Sequence, residues 1–301
     1  MVDAVRGPYG RGVTDTILVT GATGKTGRRL IPLLLRRGVA VRAAGRTPRV
    51  TVPGVEPVRF DWADESTYEA ARKGVDAIYV VPDFPGSADP ARQVRALLDG
   101  AAGAGLGRVV LLSAFGVDLA PPEDPLRRVE LAVESSGLPS TIVRPGAFMQ
   151  NLSESHWTRL NESIRERGEI VMPGGNGVVS WVSTEDIAAV AAAALTEDGH
   201  DGKGYTVLGP EPLTMAEVAA HIAAAAGRPI TYLESGRADV RAGLLAAGCP
   251  PELVDALSDI YVYALTSGAF GALSDDVLAV TGRPPVSFAE FAAGAAGVWR
   301  R

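Results

Sequence analysis

The stretch "TILVTGATGKTG", residues 16–27, narrows the folds open to this chain more than any other segment. A short apolar run leads into three glycines spaced three apart, Gly21, Gly24 and Gly27, and then into the helix-like "RRLIPLLLRRG". The internal Gly-Lys-Thr suggests an ATPase phosphate loop. Such a loop needs a glycine five residues before the Gly-Lys pair, and Val19 stands there instead. What remains is the Gly-x-x-Gly-x-x-Gly form of a dinucleotide turn. Gly21 makes the tight exit from the strand, Gly24 lets backbone approach a pyrophosphate, and Gly27 lets the helix pack against the sheet. Thr23, Lys25 and Thr26 then lie where helix-opening amides face the same phosphates.

The pattern behind this turn repeats. Apolar runs at 16–20, 40–44, 55–61, 77–81, 108–113 and 140–145 alternate with helical segments at 25–37, 66–73, 90–104 and 123–136. Continuous apolar strands between helices predict a parallel sheet covered on both faces. The expected fold is therefore α/β, a Rossmann-type doubly wound sheet over residues 14–150. Residues 151–301 read as a smaller α+β substrate lobe packed on it. Its expected parts are a helix over "SHWTRLNESIRERG", two short strands in "EIVMPGGNGVVSWV", and helices over "STEDIAAVAAAAL" and "LTMAEVAAHIAAAAG". A strand in "PITYLES" and an interrupted helical stretch over 238–278 complete it. Residues 1–13 read as a disordered leader without the apolar stretch of a secretion signal.

Charge and cysteine content exclude several function classes. The net charge is −6, only three of the 29 basic residues are lysine, and no basic block is present, so nucleic acid finds no electrostatic footprint. No apolar run is long enough to cross a bilayer. One cysteine, Cys249, rules out an internal disulfide and suits a reducing, cytoplasmic setting. No metal-ligating pattern stands out, and the expected partner is a small-molecule substrate. The oligomeric state stays open.

The second strand bears on cofactor choice. NAD sites place an acidic residue near its end to bond the ribose 2′-hydroxyl. Here the segment reads "RAAGRTPR": Ala43, Ala44 and Gly45 replace the acid, and Arg46 and Arg49 follow. A guanidinium pairs with a 2′-phosphate that a carboxylate would repel, which points to NADPH/NADP. Other strand ends are expected around the same crevice. They are Asp61 and Trp62 by the adenine, then Val81 and Pro82, Ser113, and Arg144 with Pro145.

Taken together, "TGATGKTGRRLIPLLLRRG", "FDWAD", "SSGLPSTIVRPGAFMQN", "WVSTEDIA" and "TGRPPVSFAEF" resemble the NmrA-like group of atypical short-chain dehydrogenases/reductases. The glycine turn and the ending are similar to the branch holding ergot-alkaloid reductases and bacterial quinone reductases. That resemblance implies an NADPH-dependent reductase. It equally leaves room for a cofactor sensor that binds a protein partner, or for an isomerase or cyclase on the same fold.

One departure shapes the expected chemistry. Ordinary short-chain dehydrogenases use a Tyr-x-x-x-Lys pair as proton donor. None of the seven tyrosines here has a lysine four residues on. Acceptors that need no built-in acid are then favoured: quinones, iminium ions and conjugated carbonyls. The residues open to a proton-handling role are His156, Ser113 and Tyr261. Phe148, Met149 and Trp181 either wall an apolar substrate pocket or belong to core packing.

Overall fold

The computed structural model describes residues 15–48 and 52–300. The expected leader and Arg49 lie outside the described residues. In chain order the elements are β1 (Thr16–Val19), α1 (Gly27–Arg36), β2 (Ala40–Gly45), β3 (Val55–Arg59), α2 (Tyr68–Arg72), β4 (Ala77–Val80), α3 (Pro90–Leu98) and β5 (Arg108–Leu112). Next come α4 (Pro125–Glu134), β6 (Ser140–Pro145), α5 (Leu160–Arg167), β7 (Glu169–Met172), α6 (Thr184–Thr196) and β8 (Lys203–Val207). The chain ends with α7 (Met215–Ala226), β9 (Thr231–Glu234), α8 (Arg237–Ala246), α9 (Pro251–Thr266), α10 (Asp276–Thr281) and α11 (Phe288–Trp299).

The chain groups into two compact units. The first holds residues up to 84, 89–144 and 187–205, and the second holds 85–88, 145–186 and 206–301. Most of α6 and the start of β8 thus return to the first unit, whereas the sequence suggested one cut at 150. The reason is topological. A seventh strand, β8, closes the edge of the main sheet, whose order is β3-β2-β1-β4-β5-β6-β8. β8 escaped sequence reading because "KGYTV" carries two glycine-or-lysine positions open to solvent and only one buried residue.

The strands from β3 through β6 pair in parallel. Chain order reverses between β1 and β4, the switch point where open α/β sheets bind ligands at strand carboxyl ends. Alternate residues of these strands point to opposite faces. Leu18, Ile78, Val80, Val109, Leu111 and Ile142 join Ala71, Ala91, Val94, Leu97, Val129 and Val133 from α2, α3 and α4 in one core. Pro90 and Pro125 open α3 and α4 behind Asp89 and Asp124, whose carboxylates accept first-turn amides. Helix starts are therefore written in the sequence at both places.

The second unit has its own core, built around Trp299, Phe288, Met149, Leu152, Trp181, Met215 and Ile222. Trp299 is fully buried and its indole Nε1 donates to the Leu152 carbonyl at 2.9 Å. β7 and β9 form a separate two-stranded parallel sheet. Two expectations change here. The helix expected from 155 begins only at Leu160, after Arg159 with a left-handed φ of 53°. The second strand expected in 177–182 is reduced to isolated bridges, Val179 with Leu213 and Phe148 with Val182. Among the described residues no helix is long and apolar enough to cross a membrane, and no cluster of metal-ligating side chains is present.

Candidate cofactor groove and the strand-end ion cluster

The glycine turn of the first unit leaves no room for side chains. Gly21 has φ +61°, and a Cβ there would lie 3.1 Å from the Val81 Cβ. Gly24 donates its N–H to the Gly21 carbonyl at 2.8 Å, and a Cβ on Gly24 would stand 3.0 Å from that oxygen. Gly27 is the tightest of the three. A Cβ on it would run into the Gly21 oxygen and lie 2.9 Å from the Ala22 Cα. Three glycines thus fold the chain back on itself as it passes from β1 to α1.

Thr20 fixes the floor beneath this turn. It is fully buried, its Oγ1 donates to the Tyr79 carbonyl at 3.0 Å and accepts from the Val81 N–H at 2.7 Å. The ends of β1 and β4 are thereby stapled at the switch point. A further bond draws the chain after β3 onto the same edge: Trp62 Nε1 donates to the Val81 carbonyl at 3.1 Å. Tyr68 and Gln93 in turn donate to the Trp62 carbonyl at 2.8 and 2.9 Å.

These elements enclose a groove of about 380 Å³. Eight of the residues expected around a dinucleotide line it: Gly21, Thr23, Gly24, Arg46, Asp61, Trp62, Val81 and Pro82. Asp83, which the sequence reading passed over, lines it too. Burial pushes the Asp83 carboxyl up, the Arg46 charge opposes that rise, and Asp61 adds to it. Arg46 is exposed and, among the described residues, holds no hydrogen bond or ion pair. Lys25 and Thr26 sit in the turn without lining the groove; the Lys25 carbonyl accepts from Arg29, and Thr26 is buried as the N-cap position of α1.

Ser113 and Arg144 belong to a different construction. Glu130 of α4 is wholly buried and gathers three partners. Arg144 grips it with two bonds, Nε at 2.8 Å and Nη2 at 2.9 Å. Arg127 reaches it at 2.7 Å, and the Ser113 hydroxyl donates to it at 2.5 Å. Burial alone would raise the Glu130 carboxyl; Arg144, Ser113 and Arg127 outweigh burial and hold it below the usual carboxylate range. Arg144 was expected at the cofactor, but its guanidinium is spent on Glu130. The signal for Glu130 was present: an acid amid "VELAV" on an amphipathic helix is carried inward and must find cations there.

The remaining expected residues fall in the second unit. Met149 and Trp181 are buried in its core at 0% and 3% exposure. Phe148 keeps some exposed surface. Pro145 is buried where β6 ends. His156 lies on irregular chain, with Nδ1 at 2.8 Å from Thr158 Oγ1. Tyr261 stacks edge-on to Trp157 at 5.0 Å, and burial pushes its hydroxyl far above the ordinary tyrosine range. The motif "WVSTEDIA" meets "TGRPPVS" where the buried Asp186 pairs with the partly exposed Arg283 at 2.7 Å, with the Val286 N–H donating to Asp186 at 2.8 Å. Gln150 braces the start of α6, accepting from the Thr184 N–H at 2.9 Å.

The family described as NAD(P)H-binding matches residues 21–198. An NAD(P)H azoreductase of Xenophilus azovorans is 38% identical, over 92% of this chain and 96% of its own. A (4-alkanoyl-5-oxo-2,5-dihydrofuran-3-yl)methyl phosphate reductase of Streptomyces griseus is 37% identical, over 92% and 96%. Among solved structures, the NADPH-dependent quinone oxidoreductase of Escherichia coli in complex with NADPH superposes with a TM-score of 0.76. It is 26% identical and covers 92% of this chain and 99% of its own.

Proposed function

The chain belongs to the NAD(P)H-binding family, and from that premise we propose an NADPH-dependent oxidoreductase that delivers hydride to small, largely apolar, electron-poor acceptors. The acceptor class comprises quinones, iminium ions and conjugated carbonyls. Likeness to the azoreductase adds azo compounds.

One observation carries the reading. At the switch point, side-chain-free glycine backbone and an uncommitted guanidinium, Arg46, line one groove, and the end of β2 offers Ala43, Ala44 and Gly45 in place of an acid. These residues fit the adenosine and pyrophosphate end of NADPH. Glycine amides suit a pyrophosphate, and Arg46 suits a 2′-phosphate. When bound, the reduced nicotinamide supplies a hydride.

The chain's own side chains then hold, orient and exclude. Thr20 keeps the ends of β1 and β4 in register beneath the turn. Trp62 closes the groove on the β3 side through its bond to Val81. The proton is a separate question. Ser113 directs its hydroxyl hydrogen to Glu130, Tyr261 is a weaker acid than an ordinary phenol, and His156 is engaged with Thr158. None of the three is set up as a dedicated acid. Acceptors that become a delocalised anion or a neutral amine take their proton from water, so positioning is sufficient for turnover. Phe148, with part of its surface free, is the residue we assign to acceptor selectivity.

The test is NADPH oxidation against a panel of quinones, azo compounds, cyclic imines and simple secondary ketones. Turnover is expected with the first three groups and not with the ketones. Tight NADPH binding with no oxidation by any acceptor would favour a cofactor sensor and overturn the enzymatic reading.

A further inference from the structure

The groove holds more negative charge than a site for a phosphorylated ribose requires. Two carboxylates, Asp61 and Asp83, share it with one guanidinium, Arg46. Their situations differ. Asp61 accepts the Ala63 N–H at 3.1 Å in its own turn. Asp83 makes no hydrogen bond or ion pair among the described residues, yet it is half-buried and feels both Arg46 and Asp61. It stands two residues beyond Val81, whose carbonyl is tied to Trp62, so the chain after β4 is held against the chain after β3. The backbone that carries Asp83 is therefore tethered two residues away, at Val81.

We propose that Asp83 is the residue that sets how strongly this protein prefers NADPH over NADH. The proposal rests on the reading that the groove holds the adenosine end of the cofactor. A 2′-phosphate brings negative charge into a space where Asp83 has no partner of its own, so part of the attraction to Arg46 is cancelled. A 2′-hydroxyl carries no charge and meets no such opposition. The preference for NADPH is thereby kept narrow, and NADH remains usable. Charge of this kind discriminates by repulsion against one ligand, not by added contact with the other.

The experiment is titration of the full chain with NADPH and with NADH, read by nicotinamide fluorescence, for the wild type, Asp83→Asn, Asp83→Glu and Arg46→Ala. Removing one like charge across a partly solvated groove is expected to tighten NADPH about three- to tenfold and to move NADH by less than about twofold. Asp83→Glu keeps the charge and is expected to keep the wild-type ratio. An unchanged NADPH:NADH ratio in Asp83→Asn, or an equal shift for both cofactors, overturns the role of Asp83 while leaving the groove intact, provided that Arg46→Ala still weakens NADPH selectively. If Arg46→Ala weakens both equally or neither, the groove reading itself fails. Asp83→Ser, neutral and smaller, repeats the test should the asparagine variant misfold.

Discussion

Arg46 and Arg144 both stand at carboxyl ends of strands in one sheet, the first just past β2 and the second within β6. From sequence they look alike, and both were expected at the cofactor. In the structure Arg46 is exposed and takes no partner among the described residues, whereas Arg144 is gripped twice by the buried Glu130. The difference lies in what the chain packed beside each strand end supplies. Beside Arg46 the acids Asp61 and Asp83 line the groove, but among the described residues neither closes an ion pair with it. After β5, α4 delivers Glu130 from its inward face, with Arg127 one turn earlier to share the charge. A strand-end arginine is available to a ligand only where the fold provides no buried acid of its own.

The largest expected effect breaks the occupied side of this comparison. Glu130→Gln leaves Arg144 buried without its counter-charge, and removing one partner of a buried pair costs about 3–5 kcal/mol. Urea denaturation should show that loss, with the NADPH:NADH preference of whatever folds left unchanged. A loss below about 1 kcal/mol, the scale of an exposed pair, would show the cluster to be peripheral. Acid titration sharpens the same point. The folded carboxyl titrates below the ordinary glutamate value near 4.5, so its stabilisation is complete above that pH and drains as pH falls through the folded value. The wild type should therefore lose stability below that pH more steeply than Glu130→Gln.

A smaller effect is expected on the open side. Gly27→Ala forces a methyl against the Gly21 carbonyl, and overpacking of this kind costs about 1–3 kcal/mol. Because the whole turn must shift, both NADPH and NADH should bind more weakly, and by similar factors. Selective loss of one cofactor would mean that the turn does not hold the part they share. The smallest effects belong to the three polar residues open to a proton-handling role. Ser113→Ala, His156→Ala and Tyr261→Phe should each lower turnover by less than ~100-fold, the lower end of what an enzymic acid contributes. A ~10⁴-fold loss in any of them, with cofactor still bound, would identify a dedicated donor.

How far the molecule could be read in advance follows the same division. Six strands, four helices and the glycine turn were legible because apolar runs, helix-opening prolines and C-terminal glycines are local signals. β8 was not, since its membership of the sheet depends on a neighbour, β6, some sixty residues away in sequence. The groove was largely legible because the ends of neighbouring strands converge by topology alone. Asp83 was missed because nothing local distinguishes an acid after "VVP" from a solvated one. The pairing of Arg144 with Glu130 was not legible, and Met149 and Trp181 were left ambiguous, because burial and partner choice are settled by packing between distant segments.

The availability of Arg46 is the central claim, and the affinity ratio for NADPH and NADH in Arg46→Ala tests it most directly. Loss of a charged hydrogen-bonding partner should weaken NADPH by about 1.5–3 kcal/mol, leave NADH nearly unchanged and leave unfolding stability at the wild-type level. Equal losses for both cofactors, or no loss at all, would contradict it.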